Sequence, residues 1–280
     1  MFQWHPLFAH LLRPVLEGAY DVLTDVPVGD LPRQSDLVII LRKYLEVPIF
    51  SGMWRHLSPL NMVEIKGRTE SARLRDLPLL AEVGLGIARR WRTEMRKQGQ
   101  TAIPDNQVSF WYLAPWFGRR FLAGVKELVG DLEEVDAGIF RGRLLAHPLL
   151  LVRGRKVTLN RESLPIHLIS ESDKKSELAV AKVILSEPAW WQEYSLWLKV
   201  LYPDVWKEIE AMARRAGVKG LPDFKGVAKM VGVKRFIEEF GPKRLIEELD
   251  PKEIVNAIGD KKFRARLTPA QLEKLRRGLS

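Results

Sequence analysis

Two carboxylates and one amine stand in two neighbouring apolar segments, and they are the residues of this chain best placed for chemistry. Asp36 opens the run DLVIIL, and Glu64 and Lys66 lie inside the run NMVEIKG. Apolar runs of this length predict two strands. Because strand side chains alternate between faces, Glu64 and Lys66 must project from the same face. If the two strands pair, all three charged groups meet at one place.

The setting of Glu64 and Lys66 distinguishes them from ordinary surface charges. Both interrupt an otherwise apolar strand, and charged side chains are rarely buried unless they are paired or bind a metal ion. An Asp at a strand start and a Glu two residues before a Lys also occur by chance on protein surfaces. The spacing alone therefore leaves a functional and a structural interpretation open.

The surrounding periodicity predicts the elements that must position these residues. Their order indicates a mixed α/β protein. The expected elements are a helix over 6–17 bent at Pro14, strands over 20–28, 36–41 and 61–67, a helix over 71–97, strands over 108–113, 138–144 and 149–152, and one long Trp-rich helix over 187–215.

Composition narrows the class of protein. The chain has 280 residues, of which 46% are hydrophobic, and this is enough for a large buried core. It contains no cysteine, which excludes disulfides, thiolate metal sites and a cysteine nucleophile. Long uncharged apolar runs and the pattern of a secretory signal are both missing from the sequence, so we expect no membrane association and a cytoplasmic location.

The C-terminal segment differs from the rest in charge and in repetition. The net charge is +10, and residues 214–280 hold 17 Lys and Arg against 9 Asp and Glu. A capping residue recurs every nine positions, at Gly232, Gly241, Asp250, Gly259 and Thr268. Each repeat predicts a short helix that is too short to be stable alone. We expect a main domain over 1–215 and a helical tail over 216–280, which serves homo-oligomerisation or contacts nucleic acid.

The charged residues and their flanking sequence resemble the PD-(D/E)XK nuclease superfamily, and within it the recombination-promoting nuclease (Rpn) group of transposase-like proteins. The resemblance rests on RQSDLV at 33–38, VEIKG at 63–67 and LAEVGL at 80–85, and covers about residues 5–170 in element order. It implies a restriction-endonuclease-like mixed sheet flanked by helices, with Asp on the second core strand and Glu-x-Lys on the third.

The same resemblance implies a Mg²⁺-dependent DNA endonuclease, with Mn²⁺ as an alternative metal. Asp36, Glu64 and Lys66 would be the catalytic residues. Asp36 and Glu64 would hold the metal with the main-chain carbonyl of Ile65, and Glu17 would be a further acidic ligand. Two other functions stay open, namely a catalytically silent nucleic-acid-binding protein and an assembly module that acts through the tail.

Basic segments outside this motif are candidates for contact with DNA phosphates. They are the stretch from Arg89 to Lys97 at the end of the 71–97 helix, the pair Arg119 and Arg120, and the tail. Such contacts bind the backbone with little sequence preference and weaken with salt. Basic residues at the end of a helix are also expected from the helix dipole alone.

Overall fold

The structure is a computed structural model that describes residues 4–16, 18–26, 37–43, 50, 52–99 and 101–218. Its strands are β1 (Tyr20–Leu23), β2 (Val38–Arg42), β3 (Leu60–Ile65), β4 (Val108–Ala114), β5 (Glu133–Asp136), β6 (Ile139–Leu144) and β7 (His147–Arg153). Its α-helices are α1 (Trp4–Leu16), α2 (Asp76–Lys97), α3 (Arg119–Val129), α4 (Leu164–Ser170), α5 (Lys174–Leu185), α6 (Pro188–Leu201) and α7 (Trp206–Arg215).

The strands form one seven-stranded mixed sheet in the order β1-β2-β3-β4-β7-β6-β5. Strands β3, β4 and β7 are parallel to one another, and every other neighbouring pair is antiparallel. Helices flank the sheet, and the α/β class expected from the sequence is therefore confirmed. The three parallel strands also bring their carboxyl ends to one edge of the sheet.

Helix α2 connects β3 to β4 and packs on the sheet. Its apolar side chains recur at helical spacing and are buried together with one face of the central strands. That core includes Met62, Phe110, Tyr112, Leu149 and Leu151 from the sheet. Because a parallel pair needs such a crossover, α2 begins beside the carboxyl end of β3.

A buried asparagine ties the neighbouring strands β2, β3 and β4 together on the opposite face of β3. Asn61 Oδ1 accepts hydrogen bonds from Ser58 N at 2.8 Å, Ser109 Oγ at 2.7 Å and Trp111 Nε1 at 3.2 Å. Its Nδ2 donates to the main-chain oxygens of Ile40 at 3.0 Å and Ser58 at 2.7 Å. A buried amide is tolerated only when it is satisfied in this way, and the network therefore fixes how β2, β3 and β4 pair.

The structure also corrects the expected elements. The segment predicted as one helix over 187–215 is two helices, α6 and α7, because Pro203 between them lacks an amide hydrogen and blocks helical continuation. Strand β1 ends at Leu23. Helix α3, strand β5 and helices α4 and α5 were not predicted. Helix α1 continues through Pro14, which stands in its last turn.

The described chain divides into two compact units, one spanning Gln3–Val183 and one that begins at Ile184. The seven-stranded sheet lies entirely in the first. The repeats beyond residue 218 lie outside the described residues, and the predicted domain boundary at 215 and the helical tail therefore stay predictions. No helix in the described part of the chain is long and apolar enough to cross a membrane.

Close packing of α2 on the sheet gives the first testable prediction. A Cβ at Gly84 would lie 2.8 Å from Phe110 Cε1 and 2.9 Å from Met62 Cγ, both fully buried. We expect Gly84→Ala to lower the free energy of unfolding by about 1 kcal/mol, since overpacking of about 1–3 kcal/mol exceeds the helix-propensity gain of about 1 kcal/mol. Urea denaturation measures the change.

Gly124→Ala on α3 is the matched control. There the added Cβ would meet only the Cδ2 end of Leu74, which is 40% exposed and can rotate away. This variant is expected to be neutral or slightly more stable than the wild type. Equal stabilisation by both substitutions would show that α2 does not pack as closely as described.

Candidate functional site

A polar cluster lies where the carboxyl ends of β3 and β4 meet the start of α2. The register pairs Glu64 with Tyr112 across the two parallel strands, and their side chains share one face of the sheet. Lys66 follows the last residue of β3, and its N–H donates to Leu113 O at 2.8 Å, continuing the ladder by one residue. Asp76 is the first residue of α2. The crossover therefore delivers a helix start to the edge where these strands end.

Lys66 is the centre of the cluster. Its Nζ lies 2.7 Å from Glu64 Oε1 and 3.1 Å from Asp76 Oδ2. The three side chains are 17%, 13% and 14% exposed, respectively, and water screens the charges only in part. A half-buried ammonium with two carboxylate partners is well compensated. The predicted proximity of Glu64 and Lys66 is present, and Asp76 is an additional partner.

The two carboxylates determine the charge of the amine. Burial alone would lower the pKa of Lys66, but the hydrogen bonds and negative charges of Glu64 and Asp76 outweigh it. The pKa of Lys66 therefore lies above its ordinary value, and the amine is protonated at neutral pH. In this arrangement Lys66 is a fixed positive charge and a hydrogen-bond donor.

Tyr112 holds Asp76 from the neighbouring strand. Its hydroxyl donates to Asp76 Oδ2 at 2.8 Å and accepts from Arg73 N at 3.1 Å. Burial raises the pKa of Tyr112, and the negative charges of Asp76 and Glu64 add to the shift. The phenol therefore stays protonated and fixes Asp76 against Lys66.

The first turn of α1 reaches the same cluster. Any Cβ at Gly67 would lie 1.8 Å from the Trp4 indole, and only glycine allows this ring to pack directly after Lys66. The neighbouring His5 then has Nε2 3.7 Å from Glu64 Oε2. This separation is longer than a normal hydrogen bond. Glu64 thus faces Lys66 through one oxygen and His5 through the other.

Two predicted site residues, Asp36 and Glu17, lie outside the described residues, and their predicted roles stay predictions. In sequence, Asp36 precedes Val38, which pairs with Val63 across β2 and β3. The side chain of Ile65 is fully buried and apolar. The metal ligand predicted at this position is its main-chain carbonyl oxygen.

The oxygen atoms of this cluster are of the type that binds a hard divalent cation. Mg²⁺ takes oxygen ligands and commonly uses one or two carboxylates with water. Glu64 supplies one carboxylate and Ile65 a carbonyl. Among the described residues no three His, Asp or Glu side chains gather as a metal centre. The metal site that the resemblance implies therefore stays a prediction.

Sequence reasoning missed Asp76, Tyr112 and His5. Asp76 could have been found as the acidic first-turn residue of α2, had the helix start been placed there and not at Ser71. Tyr112 was visible as a polar aromatic in the predicted 108–113 strand, but its contact depends on the register between β3 and β4. His5 stands one residue before the helix predicted over 6–17, whereas α1 begins at Trp4 and includes it.

The predicted basic stretch lies at the other end of α2. Arg89 is 13 residues beyond Asp76, which is about 20 Å along the helix at about 1.5 Å per residue. An open cavity of about 970 Å³ lies at that end, lined in part by Arg42, Arg90 and Trp91. It contains neither Glu64 nor Lys66. Arg119 and Arg120, by contrast, are exposed and follow β4 on the edge that carries the cluster.

Comparisons of the chain with family models, with curated proteins and with solved structures find no match. The cluster itself consists of one protonated amine held between two carboxylates, with an imidazole and a phenol beside it.

The role of Asp76 as a structural partner is testable by its removal. Asp76→Ala leaves the Lys66 ammonium and the Tyr112 hydroxyl each short of an acceptor, and half-buried donors without partners cost about 1–3 kcal/mol. We expect a loss of unfolding free energy in that range by denaturant titration. Glu94→Ala on the same helix is the control, because its exposed pair with Lys97 at 3.0 Å contributes only about 0.5 kcal/mol. Similar losses in the two variants would contradict the assigned contacts.

The raised pKa of Lys66 predicts a dependence of stability on alkaline pH. A raised folded-state pKa gives stability that is fully present below the ordinary value of 10.5 and is lost as pH rises through the folded value. We therefore expect Lys66→Met to melt at a lower temperature than the wild type at neutral pH, with the difference narrowing above pH 10.5. Melting temperatures across this pH range test it. A constant difference would show that the charge of Lys66 is not involved.

Proposed function

We propose that this protein is a metal-dependent DNA endonuclease with a restriction-endonuclease-like core. The observation that carries the proposal is the protonated Lys66 held between Glu64 and Asp76 at the carboxyl ends of parallel strands. Charges placed at such an edge, partly shielded from water, act strongly on a bound ligand. A phosphodiester is a ligand on which a fixed ammonium can act.

The topology supports the proposal. The resemblance to PD-(D/E)XK nucleases calls for an acidic residue at the second core strand and Glu-x-Lys at the third. Here Asp36 stands two residues before β2, and Glu64 and Lys66 stand at the end of β3. Helix α2 then crosses to the parallel strand β4, and the element order of helix, three strands, helix and strand follows that pattern.

Lys66 has a defined role in this proposal. Because its amine is protonated, it does not remove a proton from the attacking water. It donates hydrogen bonds to the phosphate oxygens, and its positive charge stabilises the negative charge that grows on them. Glu64 and Asp76 orient the amine, and Tyr112 keeps Asp76 in place, so little reorganisation is needed when the phosphate arrives.

Glu64, the Ile65 carbonyl and Asp36 are the groups that would hold Mg²⁺ or Mn²⁺. When bound, the cation supplies Lewis-acid stabilisation of the charge on the phosphate. Glu64 would then be shared between the cation and the Lys66 ammonium, which lies 2.7 Å from its Oε1. His5 lies beside the second oxygen of Glu64 and limits how that carboxylate can turn.

DNA is the proposed substrate because exposed basic residues lie next in sequence to the elements that carry the cluster. Arg73 and Arg75 precede α2, and Arg119 and Arg120 open α3, all of them exposed. These side chains can contact backbone phosphates without reading bases. Binding is then sequence-poor and weakens with salt.

The proposal is tested with supercoiled plasmid DNA and a panel of divalent metals. The wild type is expected to nick the plasmid with Mg²⁺ or Mn²⁺ and not with EDTA. Lys66→Met and Glu64→Gln should each reduce the nicking rate by about 100-fold or more, since removal of one preorganised charge costs about that much. Asp36→Ala should have a similar effect.

Lys182→Met is the matched control. It removes the same charge from an exposed position on α5, outside the basic segments proposed to contact DNA, and the nicking rate should not change. Cleavage that survives Lys66→Met would reject the proposed site. Salt-sensitive binding of plasmid without cleavage in any metal would favour the catalytically silent nucleic-acid-binding protein, and self-association that is lost on deletion of 219–280 would favour the assembly module.

A further inference from the structure

An exposed tryptophan stands on the same edge of the sheet as the Glu64 and Lys66 cluster. Trp116 follows β4 by two residues and is 54% exposed, although tryptophan is among the side chains that proteins bury most. The guanidinium carbon of Arg153 lies 4.8 Å from the Trp116 ring centroid. It also lies 5.1 Å from the Phe140 ring centroid. Arg153 is therefore held between two aromatic rings, one buried in part and one open to solvent.

The register puts this stack beside the cluster. The ladder that continues past β3 sets Lys66 opposite Ala114, and Ala114 pairs with Arg153 on β7. Tyr112, which pairs with Glu64, lies two residues before Ala114, so Arg153 projects from the same face as Glu64. Neighbouring strands lie about 4.8 Å apart, which separates the backbones at Lys66 and Arg153 by about 10 Å. Ala114 contributes only a methyl group between them.

The stack is fixed rather than mobile in its backbone. Arg153 N donates to Gly138 O at 2.7 Å, and Arg155 N donates to Pro115 O at 3.4 Å, just before Trp116. Among the described residues, the buried Nε of Arg153 has no hydrogen-bond partner. A guanidinium stacked on aromatic rings can still donate its terminal N–H groups to an anionic oxygen.

The chemistry of this surface fits a single nucleic-acid strand. Single-stranded DNA is bound by aromatic side chains on which bases stack and by cations that follow the phosphates. Trp116 presents an exposed aromatic surface, while Arg153, Arg119 and Arg120 supply positive charge around it. A double-stranded substrate offers no free base face for such a ring, because its bases are already stacked.

We propose that Trp116 and Arg153 form a subsite that stacks one unpaired base of a DNA strand beside the Glu64 and Lys66 cluster. The inference rests on the proposed nuclease function for the meaning of that cluster. The backbones at Lys66 and Arg153 are about 10 Å apart, and the subsite therefore lies within a few nucleotides of the phosphate at Lys66. It selects substrates that are single-stranded or unpaired at that position.

The subsite is tested by binding in EDTA, which separates it from metal-dependent cleavage. A short fluorescein-labelled oligothymidylate and a labelled duplex of the same length are titrated with the full-length protein and followed by fluorescence anisotropy. We expect Trp116→Ala to weaken binding of the oligothymidylate about tenfold, in line with the loss of one stacked base. Trp116→Phe should keep most of the affinity, and duplex binding should not change in either variant.

Leu128→Ala is the control for removal of an exposed apolar side chain, since Leu128 is 46% exposed near the end of α3. It should bind both probes like the wild type. The inference is overturned if the wild type does not bind oligothymidylate, if Trp116→Ala binds it unchanged, or if both probes lose affinity equally. Oligothymidylate binding that depends on Trp116 in a protein that never cleaves DNA would support the subsite and reject the nuclease.

Discussion

The site depends on one interaction, the bridge that Lys66 forms between Glu64 and Asp76. Glu64 comes from a strand and Asp76 from a helix, and without the ammonium two half-buried carboxylates would face each other. Their mutual repulsion would separate α2 from the end of β3. The amine is in turn held in its charged form by the two acids. The charge of Lys66 and the positions of Glu64 and Asp76 therefore depend on each other.

Two other parts of the molecule serve this arrangement. The Asn61 network fixes the pairing of β2, β3 and β4, and with it the register that puts Tyr112 beside Glu64. The close fit at Gly84 sets the distance between α2 and the sheet, and with it the position of Asp76. Both lie away from the charged groups. A change at either site is expected to act on the cluster through geometry, without removing any charge.

Local patterns in the sequence predicted six of the seven described strands and helices α1 and α2, but only part of the site. The alternation around Glu64 and Lys66 was sufficient to predict a strand with both charges on one face, because that relation involves only two residues along one strand. The contacts of Asp76, Tyr112 and His5 depend on strand register and on the packing of α1 and α2, which no local pattern encodes. In the 187–215 segment the helical periodicity was read correctly, but the break was missed. Pro203 divides the segment into two helices.

Strand order along the chain has a consequence for synthesis. Glu64 and Lys66 emerge from the ribosome more than 40 residues before Tyr112, and Arg153 follows 41 residues after Tyr112. The sheet around them closes only when β4 has paired with β3 and β7 has paired with β4. A chain that ends before β4 carries Glu64, Lys66 and Asp76 but lacks Tyr112 and the strand that pairs with β3. The full cluster therefore requires translation at least through β4.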